Sequence, residues 1–213
     1  MDCVTRRVAV GVTGHRLNQL PEADRPRLAK TIARAMDSIE AAAKVGAKRE
    51  PVRMTMVSGL AEGADRFAAH AALERDWGLT AALAFRPVRF IKDFETPESK
   101  DEFRALLARS KIVQPEGRGS YLAAGEIILD RADVLIALWN GAPPKGAGGT
   151  ADVAARALAM GRPVLWIPVE ARRPARLITP HRQPRKGAWR ARFHKSLVAA
   201  FRVGAQPEAM RLA

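Results

Sequence analysis

The sequence predicts an α/β protein whose sheet is Rossmann-like, doubly wound and mainly parallel, with helices on its flanks. Short apolar runs alternate with longer segments of helical periodicity along most of the chain. The segments between successive runs have about the length of the crossover helix that joins two parallel strands. Loops with glycine and polar residues follow three of the runs, where open α/β sheets bind their ligands. These observations favour an open sheet with a ligand site at one edge.

Six apolar runs are predicted strands. Residues 7–13 (RVAVGVT) form a short apolar run that closes on Gly-His, as expected for a strand inside a sheet. Residues 133–139 (DVLIALW) show the clearest pattern, and residues 111–113 show the weakest. The complete set comprises residues 7–13, 52–57, 79–85, 111–113, 133–139 and 164–167.

Five segments between these runs predict helices. In residues 21–45 the apolar side chains recur at helical spacing, which places on one face Leu28, Ile32, Ala35, Met36 and Ile39. The second segment carries several alanines, which allow close packing on a sheet. The predicted helices are residues 21–45, 61–77, 100–109, 121–131 and 150–160. We predict a long loop over residues 88–99.

The C-terminal segment differs in charge from the rest of the chain. The 213 residues carry a formal net charge of +14. Residues 1–169 hold 25 basic and 20 acidic side chains, whereas residues 170–213 hold 11 basic and 2 acidic ones. Residues 171–187 are crowded with Arg and Pro and predict a linker or an extended arm, and residues 189–201 predict a short amphipathic basic helix. We therefore predict a domain over residues 1–169 and a basic C-terminal extension over residues 170–213.

Three interpretations of this extension stay open. Its helix packs on the domain with an exposed basic face, or it docks to a partner or second subunit, or it contacts nucleic acid or an anionic membrane. If nucleic acid is a partner, we expect it to bind only through this basic extension.

Composition excludes several classes of protein. Cys3 is the single cysteine, so an internal disulfide framework and a multi-cysteine metal site are excluded. No apolar run reaches about 18 residues, so we expect no transmembrane segment. The first residues lack the apolar stretch of a signal peptide, and the His, Asp and Glu residues show no metal-ligand spacing. We expect a cytoplasmic protein with no metal and no cofactor.

The first predicted strand ends in a turn that could bind an anion. Gly14 permits a tight turn or the close approach of a ligand, and His15 and Arg16 supply hydrogen-bond donors. Arg16 can pair with a phosphate through two nitrogens, and His15 is the candidate for pH-dependent binding or acid–base chemistry. The alternative is a capping turn with two solvated polar side chains.

The second predicted strand ends at Ser58, and a loop with Gly59 and Gly63 precedes the next helix. Two glycines at such a turn allow backbone N–H groups to converge on an anion near the helix N-terminus. Glu62 either favours the helix dipole or binds a ribose hydroxyl. The spacing matches neither the dinucleotide fingerprint nor a P-loop. An ordinary turn before a capped helix is the alternative.

The third loop follows the strand at residues 133–139 and is rich in glycine. It carries Asn140 and Gly141, and then Gly148 and Gly149 directly before a predicted helix. Such a loop can direct several N–H groups at a phosphate or carboxylate. Thr150 is both a candidate N-cap and a candidate ligand contact. A flexible loop without a ligand is the alternative.

Two further side chains are candidate ligand contacts. Arg86 follows the third predicted strand and either meets a phosphate or lies in solvent at the strand end. Tyr121 begins the fourth predicted helix and either stacks on a base or seals the sheet edge.

Together the three loops resemble the motifs of the SLOG superfamily. This group includes the Lonely Guy phosphoribohydrolases, the DNA-processing protein DprA, and nucleotide-sensing domains of TRPM channels and bacterial anti-phage systems. The resemblance covers about residues 6–168, and its motifs are VTGHR from residue 12, SGLAEGADR from residue 58, DVLIALWNG from residue 133 and GGTADV from residue 148. It is greatest to a bacterial branch that carries Thr-Gly-His-Arg, some members of which accompany conflict-related effectors.

The resemblance implies a pocket for a nucleotide or a nucleotide-derived ligand, and pairing of two copies as a homodimer. In that interpretation Arg16 neutralises phosphate, and five glycines shape a phosphate cradle: Gly14, Gly59, Gly63, Gly148 and Gly149. Glu62 and Asp152 would hold ribose hydroxyls.

One motif departs from the enzymes of the family. The Lonely Guy enzymes carry Pro-Gly-Gly-x-Gly-Thr-x-x-Glu with a catalytic Glu, and this chain has Val153 at that position. Asp152 precedes it and projects about 100° away around the helix. If the protein is an enzyme, Asp152 and Glu62 are the candidates for assisting N-glycosidic cleavage.

Three hypotheses about function therefore stay open. The first is a sensor or binding domain for a nucleotide-derived small molecule, such as a metabolite of the NAD or ADP-ribose type, in bacterial stress or anti-phage signalling. The second is a nucleoside 5′-monophosphate phosphoribohydrolase of Lonely Guy type. The third is binding of single-stranded DNA as in DprA.

Overall fold

The computed structural model describes residues 5–144, 146–170, 173–180 and 188–201. Its strands are β1 (Arg6–Gly14), β2 (Val52–Ser58), β3 (Gly78–Ala82), β4 (Lys111–Val113), β5 (Val134–Leu138), β6 (Val164–Ile167) and β7 (Arg176–Ile178). Its helices are α1 (Arg25–Ala47), α2 (Ala64–Leu73), α3 (Pro87–Phe90), α4 (Pro97–Ala108), α5 (Tyr121–Arg131), α6 (Thr150–Ala159) and α7 (Ala188–Ala200). Single turns of 3₁₀ helix lie at Leu17–Gln19, Glu22–Asp24 and Ile91–Asp93.

The strands form one sheet in the order β4-β3-β2-β1-β5-β6-β7. All neighbouring strands are parallel except β6 and β7, which are antiparallel. The chain runs outward from β1 to β4, then returns to place β5 on the other side of β1. The direction of winding therefore reverses between β1 and β5, where Gly14 lies opposite Leu138. Ligands of open α/β sheets bind at such a switch point.

The sheet is buried on both faces, and β5 shows this most clearly. Ile136 and Leu138 belong to the core that also contains the apolar faces of α1 and α2. Leu135 and Ala137 belong to a second core with the apolar faces of α5 and α6. Successive side chains of a strand point to opposite faces, so an uninterrupted apolar run is what a strand between two helical layers requires.

The α/β prediction is confirmed, because all six predicted strands and all five predicted helices are present. Several boundaries were wrong: α1 begins at Arg25 and not at residue 21, and α2 ends at Leu73 and not at residue 77. Residues 61–63 form a turn, and α2 begins only at Ala64, since Gly63 has a φ of +89° that a helix does not accommodate. The third strand ends at Ala82 and does not reach residue 85.

The predicted loop over residues 88–99 is also wrong in part, because it contains α3, a 3₁₀ turn and the start of α4. Pro87 and Pro97 each occupy the first position of a helix, where the missing N–H costs nothing. The rings of Phe90, Phe94 and Phe103 pack against one another with centroids 5.1–5.6 Å apart. This aromatic cluster orders the segment.

The expectation of an extended arm is wrong for β7. Its residues pair with β6, and Leu177 and Ile178 are buried. Burial of these two apolar side chains stabilises the pairing of β7 with the edge strand β6. Residues 171–172 and 181–187 of the predicted arm lie outside the described residues, as do Cys3 and residues 202–213.

The predicted C-terminal helix is α7, and it packs on α1. Phe193 and Leu197 are buried in the same core as the apolar face of α1. The two helices approach so closely that a Cβ on Gly46 would lie 2.8 Å from the Phe193 backbone. Arg192 donates a hydrogen bond of 2.8 Å to the Gly46 carbonyl, and Arg190 forms an ion pair with Asp133. The basic side chains of α7 thus take part in holding it on the domain.

Within the described part of the chain, no helix has both the length and the apolar character needed to cross a membrane.

Candidate functional site

A cavity of about 960 Å³ lies at the switch point, beyond the carboxyl ends of β1 and β5. Its wall is built by six segments: the turn after β1, the loop between β2 and α2 with the start of α2, the end of β3, the α3 region, the first turns of α5, and the loop into α6. The connections from β1 and β5 leave in opposite directions at this point, which opens the space between them.

The turn after β1 joins the two central strands. The His15 N–H donates to the Leu138 carbonyl at 2.9 Å, and the Asn140 N–H donates to His15 Nε2 at 3.3 Å. This second contact needs Nε2 as an acceptor, so it holds the neutral imidazole with its proton on Nδ1. A Cβ on Gly14 would lie 2.4 Å from the Ala64 Cβ. Glycine there allows α2 to come close to the strand end.

Arg16 extends from this turn to the exposed edge of the cavity. Its guanidinium donates a hydrogen bond of 3.0 Å to the Tyr121 hydroxyl and lies 5.5 Å from the centre of the Tyr121 ring. The Tyr121 hydroxyl donates in turn to Asp93. Burial and the bond to Asp93 raise the pKa of Tyr121, against the opposing effect of Arg16. The phenol therefore stays protonated and can hold both neighbours.

The loop between β2 and α2 is closed around the side chain of Asp65. Ser58 is fully buried, and its hydroxyl donates to the Asp65 carbonyl. The Ala61 N–H donates to the Asp65 carboxylate at 3.4 Å. A Cβ on Gly59 would lie 2.8 Å from Asp65 Oδ2, so this glycine leaves room for the carboxylate. The turn that was expected to bind a ligand anion is therefore occupied by the Asp65 carboxyl group.

Asp65 has an altered acidity. Its side chain lines the cavity and is 9% exposed. Burial raises its pKa to about 7, although hydrogen bonds from Ala61 and Gly59 and the charges of Arg16 and Arg66 lower it.

Glu62 and Gly63 lie in the same loop but do not line the cavity. The Glu62 carboxylate accepts a hydrogen bond from the Ser99 hydroxyl of α4. A Cβ on Gly63 would lie 2.4 Å from the His15 carbonyl oxygen, which in turn accepts a bond of 3.2 Å from the Ala64 N–H. Gly63 therefore serves the contact between this loop and the turn after β1.

The loop into α6 forms another wall. Gly148 has a φ of +81°, and a Cβ there would lie 2.6 Å from the Leu122 nitrogen, so glycine allows the loop to pack on α5. Gly149 is the N-cap of α6, and Thr150 is its first residue. Both line the cavity. The first N–H groups of α6 therefore lie at the cavity wall.

Asp152 is engaged within its own helix. Its carboxylate accepts hydrogen bonds from the Gly148 N–H at 2.8 Å and from Arg156 Nε at 3.0 Å. Val153 lines the cavity and presents an apolar side chain where the Lonely Guy motif has its Glu. Gly141, with a φ of +81°, packs against Trp166.

The structure brings nine of the predicted ligand contacts to the cavity wall: Gly14, His15, Arg16, Gly59, Tyr121, Asn140, Gly148, Gly149 and Thr150. It places six others outside the wall: Ser58, Glu62, Gly63, Arg86, Gly141 and Asp152. Arg86 is exposed at the N-terminus of α3.

Sequence reasoning missed other cavity-lining side chains: Asn18, Gln19, Asp65, Phe90 and Asp93. Asp65 is part of the SGLAEGADR motif, and its place in that motif could have indicated a role in the site. Asp93 carried no signal, because its segment was predicted as a loop. No group of three or more His, Cys, Asp or Glu side chains in the described ranges could hold a metal ion.

Comparison with solved structures shows similar folds. The DNA processing protein A (DprA) from Streptococcus pneumoniae matches with a TM-score of 0.54 and 18% identity, over 96% of this chain and 61% of the DprA chain. The present chain thus spans less than two thirds of DprA. TM1055 matches with a TM-score of 0.43 and 16% identity, over 75% of this chain and 72% of its own. The molybdenum cofactor carrier protein MCP from Chlamydomonas reinhardtii matches with a TM-score of 0.42 and 16% identity, over 96% and 94%.

No protein-family model matches the sequence, and no curated protein matches it. At 18% identity the likeness to DprA concerns the fold alone. The strand order, the switch point and the three loops agree with the resemblance that the motifs indicated. The chain therefore has a Rossmann-like α/β fold that is similar to the fold of DprA.

Proposed function

We propose that the cavity at the switch point binds a nucleotide-derived small molecule that carries at least one phosphate. One observation carries the proposal: Arg16 and the N-terminal turn of α6 line the same cavity. A guanidinium and a helix N-terminus are complementary to the same group, a phosphate.

The size and remaining chemistry of the cavity support this class of ligand. A volume of about 960 Å³ suits a ligand of nucleotide or dinucleotide size. Tyr121 and Phe90 place aromatic surface in the wall, and aromatic surface suits a planar base. Metabolites of the NAD or ADP-ribose type combine these parts, and sensing such a metabolite is the role we propose.

Binding is favoured over cleavage of the Lonely Guy type. The Glu62 carboxylate accepts a hydrogen bond from Ser99, and the Asp152 carboxylate accepts one from Arg156. The side chain of Val153 cannot transfer a proton. In addition, neither Glu62 nor Asp152, the two carboxylates that the sequence predicted for N-glycosidic cleavage, lines the cavity. Binding of single-stranded DNA has no comparable observation in its favour, since the likeness to DprA concerns the fold.

Isothermal titration calorimetry tests the proposal with AMP, ADP, ADP-ribose and NAD on the full chain. We expect at least one to bind with a dissociation constant below about 1 mM, and Arg16→Gln to weaken it. Arg34→Gln is the matched control, because Arg34 is exposed on α1 and does not line the cavity. A folded protein that binds none of the four contradicts the proposal. Chromatography of the same samples for free base separates binding from cleavage.

We also propose that the protein forms a homodimer, as the resemblance implied. Light scattering coupled to size-exclusion chromatography measures the mass directly, and a monomer mass near 23.2 kDa contradicts this part.

A further inference from the structure

Asp65 is a buried carboxyl in the wall of the cavity whose chemistry the proposed phosphate site does not use. The two arginines whose charges reach it are both directed elsewhere. Arg16 donates to Tyr121, and Arg66 donates to the Leu60 carbonyl, to Ser99 and to Glu102. A buried carboxylate ordinarily has a charged partner or several donors.

The surroundings of Asp65 supply two backbone donors, from Ala61 and Gly59, and leave space. The Ala61 N–H lies 3.4 Å away, which is a long hydrogen bond. Gly59, Ala61 and Ala82 line the cavity beside it and have small side chains or none. This part of the wall therefore offers an acceptor oxygen in a recess with little competing polar surface.

A ligand phosphate does not fit this recess. Two negative groups near each other in a poorly solvated site repel strongly, and the amide donors of the turn are already directed at the carboxylate. A neutral hydrogen-bond donor fits, because it satisfies the acceptor capacity of the buried carboxylate. The small side chains admit a sugar ring, and the aromatic wall with Tyr121 and Phe90 suits a base.

We propose that Asp65 selects ligands with free ribose hydroxyls, which donate to its carboxylate, while the phosphate lies toward Arg16 and α6. This inference rests on the proposed function. It replaces Glu62 and Asp152 as the groups that recognise ribose. It also assigns Gly59 a purpose, since a side chain at that position would displace the carboxylate.

A pH dependence of binding follows. Burial raises the pKa of Asp65 to about 7, so the carboxyl group ionises as the pH increases through 7. Hydroxyl donors bind the ionised form better, so the affinity for a ligand with free ribose hydroxyls should rise over the same range. The charges that act on Asp65 come from Arg16 and Arg66. The other titratable side chains in the cavity wall are His15, Asp93 and Tyr121. His15 accepts a hydrogen bond from the Asn140 N–H through Nε2, which its neutral form provides.

The experiment compares ADP with 2′,3′-dideoxy-ADP by calorimetry on the full chain at about pH 6 and about pH 8. For the unmodified protein at the higher pH, we expect ADP to bind about tenfold more tightly than 2′,3′-dideoxy-ADP. At the lower pH this difference between the two affinities should be smaller. Asp65→Asn should reduce the preference to less than about threefold and remove its pH dependence. Glu62→Gln is the matched control, because Glu62 lies three residues before Asp65 and does not line the cavity.

Each result is decisive. Equal affinities for the two nucleotides, or a preference that Asp65→Asn retains, would overturn the role of Asp65 and leave the nucleotide site standing. If Asp65→Asn fails to fold, the comparison of the two nucleotides at both pH values in the unmodified protein decides, and a preference that is the same at both overturns the inference. If neither nucleotide nor any of the four ligands named above binds, the proposed function itself fails.

Discussion

Arg16 and Tyr121 form a direct contact across the exposed edge of the cavity, with 3.0 Å between the guanidinium nitrogen and the hydroxyl oxygen. Tyr121 begins α5 and Arg16 follows β1, so this contact joins two elements that are 105 residues apart in sequence. Asp93 continues the chain of hydrogen bonds from the α3 region. These hydrogen bonds hold the Arg16 guanidinium, which we propose binds phosphate, in place in the absence of a ligand.

Loss of the Tyr121 hydroxyl tests this positioning. Tyr121→Phe keeps the ring, which packs edge-on against Phe85 at 5.5 Å, and removes only the bonds to Arg16 and Asp93. We expect affinity for a phosphate ligand to fall about fivefold, because one hydrogen bond contributes on the order of 1 kcal/mol. Calorimetry measures the change, and an unaltered affinity would show that Arg16 does not depend on the hydroxyl.

Removal of the Arg16 charge should have a larger effect. Arg16→Gln keeps a hydrogen-bonding side chain but abolishes the ion pair with phosphate, and we expect affinity to fall about 10- to 100-fold. Raising the salt concentration should weaken binding to the unmodified protein more than to the variant. The same salt dependence in both proteins would place the phosphate elsewhere.

Asp65 should make stability depend on pH in an unusual direction. Its folded pKa of about 7 lies above the ordinary value of 3.8, so the folded state holds this proton more firmly than the unfolded state. The stabilisation is therefore present at low pH and is lost as the pH rises from about 4 to about 7. Asp65→Asn removes this loss, which we expect to amount to a few kcal/mol.

Urea unfolding at about pH 5 and about pH 8 measures the effect. The variant should gain stability relative to the unmodified protein at the higher pH. Asp101→Asn is the control, since its side chain is 72% exposed. A pH profile that Asp65→Asn does not change contradicts the raised pKa.

Two glycines of the loop into α6 should respond differently to the same substitution. Gly148→Ala forces an L-residue to a φ of +81° and brings its Cβ to 2.6 Å from the Leu122 nitrogen, so we expect a loss of more than about 2 kcal/mol. A Cβ on Gly146 meets nothing within 4 Å, so Gly146→Ala should be close to neutral. Thermal unfolding of both variants provides the comparison. Equal effects would mean that the loop does not pack on α5 as described.

The contact between α7 and α1 should contribute to stability. Phe193→Ala empties a buried position against α1, and we expect a loss of about 3–5 kcal/mol. Val45→Ala on α1 is the control, because Val45 is 65% exposed and its truncation should change the free energy of unfolding by less than about 0.5 kcal/mol. A small effect of Phe193→Ala would indicate that the C-terminal helix does not stabilise the domain.

The order of strands and helices could be predicted from the sequence because hydrophobic periodicity is a local property. The short apolar runs of β1 and β5 indicated strands of the sheet, and the loops that follow them line the cavity. The strand β7 could not be predicted in this way. Its three residues stand among Arg and Pro, and only the open edge of β6 makes them a strand.

The site shows the same division at Glu62 and Asp65, which lie on either side of the turn into α2. By itself the sequence determined that this turn follows a strand and precedes a helix. The tertiary structure alone decided that Asp65 faces the cavity and that Glu62 bonds to Ser99 on α4. The direction of each carboxylate depends on the turn at Gly63 and on the packing of elements distant in sequence, and no local pattern encodes that packing.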